Sequence, residues 1–286
     1  MTMRIAYVCA DPGVPVFGRK GCSVHVQEML RALQGHGAGV DLFAARVDEA
    51  PPSGLESLPI HHLTPVGDGD PSSHAAAIAA LNDQLAALLD RAGPYDLVYE
   101  RYSLWSLAAM EHAATAGVPG LLEVNAPLIE EQAAYRGLRD AAGADRVAAR
   151  AFRAASVLLA VSAEVAAWLE RRGVARGRVH VIPNGVDAER FRPDVRPAAP
   201  GPPGSFTVGF VGSMKPWHRR PVAARGRRAG AGRRVRRPVG SRAERGRALH
   251  RSGGPARGSR APDLGRRGGC PLPSGDRLLF LAAQGV

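Results

Sequence analysis

The chain has 286 residues, 45% of them hydrophobic, a formal net charge of +12 and three cysteines. That length holds one large domain or two of ordinary size, and the apolar share supports a packed core. No apolar run reaches the ~18 residues of a membrane span, and three cysteines without metal-ligand spacing argue against a disulfide framework or a zinc site.

Residues 4–10 (RIAYVCA) predict a buried strand, and Met1 leads into it with no cleavage-type segment, so a cytoplasmic protein is expected. A Gly/Pro-rich loop follows over residues 11–22. Ser23 is expected to cap a helix with Val26, Leu30 and Leu33 on one face, stopped by Gly35 and Gly37. Residues 40–44 and 59–63 predict the next two strands. An Ala/Leu helix opens at Ser72 or Ser73 and runs to about Ala92, where Gly93-Pro94 ends it. Strands are then expected over 96–102, 120–125, 157–162 and 179–182. The helices between them are expected over 104–116, in a long stretch ending near Ala155, and over 163–172. This alternation predicts an α/β domain with a parallel sheet, Rossmann-like, over residues 1–195, whose ligands bind beyond the carboxyl ends of the strands. Residues 196–218 read as a Pro/Ala/Gly linker and the first strand of a second domain.

At His218 the composition changes. Residues 219–286 hold 18 Arg, no Lys and 3 acids, whereas the 218 residues before them hold 20 basic and 23 acidic groups. The excess positive charge is therefore confined to one segment. Its hydrophobic residues are too sparse for a core, so an incomplete second domain and a disordered tail are expected. An arginine-rich arm that neutralises phosphates on a nucleic acid is the other reading of such a tail. Against it, Phe280 is the segment's one aromatic residue and no amphipathic helix is visible.

Several short segments combine residue types that suit a ligand site. The loop GRKGCSVH runs onto a helix start, where free backbone N–H groups attract phosphate and Gly21 allows close approach. His25 lies in the first turn of that helix. Glu100 and Arg101 in VYERY, and Asn125 in LEVNAPL, put polar groups where buried strands stop. In VIPNGVD, Asn184 and Gly185 supply a turn and Asp187 can cap a short helix after it. From the residues alone each has a plain alternative: a turn, a packed histidine, an internal ion pair, a hinge.

Together these segments resemble a known family. PNGVD-x-x-x-F-x-P, with GRKGCSVHVQE, YERYS, EVNAPL and GSMKPWH in order, is similar to the retaining glycosyltransferases of family 4, also called group 1. The resemblance covers residues 4–218. It implies a GT-B arrangement of two Rossmann-like domains facing a cleft, with transfer of a hexose from a nucleotide-sugar donor at retained anomeric configuration. It implies a carbohydrate or glycolipid acceptor of cell-envelope or exopolysaccharide type, peripheral membrane contact, no metal, no other cofactor and no specific nucleic acid. Carried over by position, Gly21, Lys215 and His218 would meet the donor phosphates, cations there stabilising the leaving group. His25, Glu100, Arg101 and Asn125 would line the acceptor side, and Asn184, Gly185 and Asp187 would form the inter-domain motif.

After His218 the family pattern stops, and a one-nucleotide shift accounts for the break. Read one nucleotide later, codons permitted for residues 278–286 encode Phe-Tyr-Phe-Ser-Pro-Leu-Lys-Val, a family-like segment of the donor domain. Residues 219–226 permit Gly-Val followed by an apolar helix start under the same shift. Residues 219–286 are accordingly expected to be out of frame, and the chain as written to be truncated and inactive.

Overall fold

The computed structural model describes residues 2–66, 71–173, 177–185, 187–189, 192, 194, 208–211 and 279–282. Two units are distinguished by contacts. One comprises Met1–Ser213 with Leu278–Val286, and the other, Met214–Arg277, lies outside the described residues.

The first unit carries β1 (Arg4–Cys9), α1 (Gly21–Gly35), β2 (Gly39–Ala44), β3 (Ile60–His62), α2 (Pro71–Ala92), β4 (Leu97–Arg101) and α3 (Ala108–Ala116). It continues through β5 (Gly120–Val124), α4 (Leu128–Tyr135), α5 (Ala141–Ala154), β6 (Val157–Ala160), α6 (Ala163–Arg171) and β7 (Val179–Val181). The seven strands form one parallel sheet in the order β3-β2-β1-β4-β5-β6-β7. The order reverses between β1 and β4, which is where an open parallel sheet leaves a crevice at its carboxyl edge. The expected Rossmann-like α/β fold is therefore present.

Each face of the sheet buries its own cluster. On one, Val8, Val98, Leu122 and Leu158 pack with Leu85 of α2, Met110 of α3 and Phe152 of α5. On the other, Ile5, Tyr7, Cys9, Leu42 and Tyr99 pack with Val26 and Leu30 of α1. Strand alternation assigns the faces, so Tyr99 and Arg101 share one side of β4 while Val98 and Glu100 share the other.

Several boundaries differ from the sequence expectation, each for a local reason. Helix α1 starts at Gly21 behind an extended Lys20, and no side chain caps it. Ser23 is thus not the cap: it lies inside the first turn with its hydroxyl buried and unpartnered. Helix α3 starts at Ala108 rather than near 104, because Asn82 Oδ1 accepts from the N–H groups of Leu107 (2.9 Å) and Ala108 (3.0 Å). The long helical stretch is two helices, broken at Gly137, whose φ of +69° suits glycine. Asp140 restarts the chain by accepting from Gly143 N at 2.7 Å.

Strand β8 (Val208–Val211) pairs in parallel with β9 (Leu279–Ala282) as a two-stranded sheet. Those four tail residues depart from the expectation of irregular chain throughout 219–286. The run LLFLAA is the longest apolar stretch of that segment, which suits it to pairing with the equally apolar β8.

Candidate functional site

Glu123 is the centre of the best-connected polar cluster among the described residues. It lies one residue from the end of β5, on the same face as Leu121, and is 4% exposed. Four side chains converge on its carboxylate. Tyr99 of β4 donates its hydroxyl to Oε2 at 2.5 Å, and Arg101 of β4 donates Nη1 to Oε1 at 3.2 Å. His25 of α1 places Nε2 at 2.9 Å from both oxygens, and Asn125 donates Nδ2 to Oε1.

The position follows from the strands. Arg101 pairs with Glu123 in the β4–β5 register, so two residues of opposite charge meet on one face of the sheet. Helix α1 crosses that face and brings His25 to them. Burial alone would raise the Glu123 carboxyl. The His25 hydrogen bond, the Arg101 charge and the Tyr99 hydrogen bond oppose it and hold the carboxyl well below the usual carboxylate range, at about 2. Beneath the cluster Tyr7 stacks on Tyr99, centroids 5.1 Å apart and planes 13° from parallel. Burial pushes the nearby Cys9 thiol up to about 12, with Arg101 opposing, so it is a poor nucleophile.

Three of the four residues expected on the acceptor side, His25, Arg101 and Asn125, are thus brought together. Glu100 is not with them: it projects from the opposite face, flanked in register by Val8 and Leu122. It is 1% exposed, and neither carboxylate oxygen has a hydrogen-bond partner. Burial pushes its carboxyl up to about 7; the Ser106 hydroxyl nearby tempers this without reaching hydrogen-bond geometry. Glu123 and Tyr99 were missed as site residues, although a carboxylate inside the apolar run LLEV was the available signal.

The loop before α1 is fixed from within. Gln27 Nε2 donates to the carbonyls of Val16 (2.8 Å) and Gly18 (2.9 Å), and Lys20 Nζ to that of Gly13 (3.1 Å). A Cβ at Gly18 would lie 2.9 Å from Pro15 Cγ, so the turn leaves no room for a side chain. Gly21 is the first residue of α1, where N–H groups are unpaired within the helix. Asn184 and Gly185 follow β7, and Asp187 Oδ1 accepts from Glu189 N at 2.9 Å, a turn-forming contact. Lys215 and His218 lie outside the described residues.

Elsewhere a concavity of about 340 Å³ is lined by Glu130, Asp145, Trp168 and Arg172 among others. Within it Glu130 accepts from Trp168 Nε1 (2.8 Å) and Arg172 (3.1 Å), Arg172 also pairs with Asp145, and its guanidinium stacks on Trp168. Among the described residues no group of three or more His, Cys, Asp or Glu could hold a metal ion, and no helix is long and apolar enough to cross a membrane.

The sequence profile described as Glycosyltransferase Family 4 matches residues 19–190, a span that contains the whole Glu123 cluster and helix α1. The chain belongs to Glycosyltransferase Family 4. It is 28% identical to D-inositol 3-phosphate glycosyltransferase 1 of Catenulispora acidiphila, over 72% of this chain and 51% of that protein. The chain therefore spans about half the length of this curated relative. Among solved structures it is similar to sucrose-phosphate synthase of Thermosynechococcus elongatus, with 18% identity, a TM-score of 0.47, and coverage of 67% of this chain and 50% of that one. It is also similar to HepE of Anabaena in complex with UDP-glucose, with 16% identity, a TM-score of 0.46, and coverage of 75% and 54%. Within this Family 4 chain the matched region begins at Arg19, in the α1 loop, and ends just past the PNGVD turn.

Proposed function

We propose that residues 1–195 are the acceptor-side half of a glycosyltransferase that moves a sugar from a nucleotide-sugar donor to a hydroxyl of a carbohydrate or glycolipid acceptor. Transfer proceeds with retention at the anomeric carbon. The observation that carries this reading is the Glu123 cluster. It holds His25, Arg101 and Asn125 at the ends of β4 and β5 and the start of α1, where an open parallel sheet binds its ligands. The membership in Family 4 and the name of the Catenulispora relative support sugar transfer as the chemistry. Gly21 approaches the donor phosphates from this half, and Lys215 and His218 would approach them from the other.

The donor-binding half is not encoded as protein in residues 219–286. Those residues are the out-of-frame reading of a donor domain, and the chain as written has negligible transferase activity. Retaining transfer requires the donor to be held across the cleft, and the Arg/Gly/Pro composition of residues 219–286 does not suit a domain that orients a diphosphate. The nucleotide sequence of the gene between the codons for His218 and Val286 tests the frame directly. A shifted frame that encodes Phe-Tyr-Phe-Ser-Pro-Leu-Lys-Val supports the reading; one that meets an early stop removes it. Turnover of several nucleotide sugars by the pure chain, well above background, would overturn the assignment of inactivity.

A further inference from the structure

His25 meets Glu123 through one ring nitrogen. Nε2 lies 2.9 Å from each carboxylate oxygen, while Nδ1 makes no hydrogen bond among the described residues. One tenth of the side chain reaches solvent, at the helix start beside the carboxyl edge of the sheet. An ionised carboxylate only accepts hydrogen bonds, so the nitrogen facing it must carry a hydrogen. Whether Nδ1 carries one too depends on charge balance. The single negative charge of Glu123 is matched by Arg101, 3.2 Å away, and both of these side chains are more than nine-tenths buried. A second cation at the same carboxylate would be left uncompensated in a poorly solvated place.

We propose that Glu123 is a positioning residue that holds His25 in its Nε2–H form, and that Nδ1 accepts a hydrogen bond from a hydroxyl group of a carbohydrate ligand. Tyr99 and Asn125 complete the arrangement by donating to the same carboxylate, which fixes it against rotation. Fixing the second nitrogen of a histidine through a carboxylate is what gives its free nitrogen a defined role. The ligand contact rests on the transferase reading above; the location of the proton does not.

The full chain, labelled with ¹⁵N in histidine, tests both parts by long-range ¹H–¹⁵N spectra near neutral pH. The His25 Nε2 resonance is expected at a protonated position and Nδ1 at that of a bare imidazole nitrogen. A proton on Nδ1, alone or in addition, overturns the assignment. Arg101→Met, which leaves Glu123 without its cation, is expected to make His25 doubly protonated, whereas Arg101→Lys keeps the neutral form. An unchanged pattern in a folded Arg101→Met chain contradicts the charge argument; if that variant does not fold, the unmodified chain still decides.

D-Glucose and myo-inositol then serve as probes. Saturation is expected to move the Nδ1 resonance, and Glu123→Gln to reduce that response several-fold. A fixed Nδ1 while other resonances respond to sugar overturns the contact and leaves the transferase reading standing. No response anywhere overturns the contact and counts against that reading as well.

Discussion

Glu100 and Glu123 lie on adjacent strands and leave the sheet on opposite faces, and their acid strengths are driven in opposite directions. Glu123 accepts from four side chains and is held at about 2; Glu100 has no hydrogen-bond partner and is pushed up to about 7. The strand period of two decides this, because a residue on β4 or β5 faces either α1 and its donors or the apolar cluster under α2 and α3.

The two carboxylates predict a stability profile with two features. Glu123, depressed in the folded state, stabilises the fold above its unfolded value and loses that contribution as pH falls through about 2. Glu100, raised in the folded state, has the reverse sign: stability falls as pH rises from the unfolded value toward about 7 and is level above that. Urea unfolding across pH 5 to 8 should show the decline in the unmodified chain and lose it in Glu100→Gln. The same slope in both chains would remove Glu100 as its source.

Truncating the hub should be costly. Glu123→Ala leaves Arg101 buried without a counter-charge, and breaking one side of a buried pair costs roughly 3–5 kcal/mol. Glu123→Gln retains the volume and part of the hydrogen bonding and should cost less. Denaturation midpoints of the two variants provide the comparison, and a loss in Glu123→Ala below ~1 kcal/mol would mean that the cluster is peripheral to the fold.

Asn82 should matter for a helix in which it does not lie. Its side chain accepts from Leu107 N and Ala108 N and donates to Trp105 O (2.9 Å), which sets where α3 begins. Asn82→Ala is expected to cost about 1–2 kcal/mol, the scale of a lost helix cap. Amide exchange should accelerate at Leu107 and Ala108 ahead of the rest of α3. Uniform exchange along the helix would contradict the role.

These residues show which features the sequence made legible. Apolar runs such as RIAYVC and LLEV, separated by glycine-rich stops, sufficed for the sheet and the order of its elements. The start of α3 did not, because its cap comes from Asn82, a residue of the preceding helix and distant in the chain. The break between α4 and α5 depends on Gly137 and on Asp140 reaching Gly143, which a run of helix formers concealed. At the site, Arg101 and Asn125 were visible as polar residues at strand ends. Glu123, the residue joining them, was visible only as a charge in an apolar strand, and its significance lies in partners on β4 and α1. Glu100 carried the same signal as Arg101; one step along the strand turned it to the other face.

Nucleotide affinity tests the proposed division, in which residues 1–218 hold half of a nucleotide-sugar site and the other half is encoded out of frame. Removing one nucleotide near the codons for His218 and Arg219 should give a chain that continues past position 286, with a second sheet that includes Val208–Val211. It should also gain a carboxylate beyond the Phe-Tyr-Phe-Ser-Pro-Leu-Lys-Val segment that can hydrogen-bond a ribose. Isothermal calorimetry with UDP and GDP on the two chains is the direct comparison. The account predicts clear binding of a nucleoside diphosphate by the repaired chain and far weaker binding by the present one. Equal affinity in both would place the whole site within residues 1–218, and no binding by a folded repaired chain would contradict the account outright.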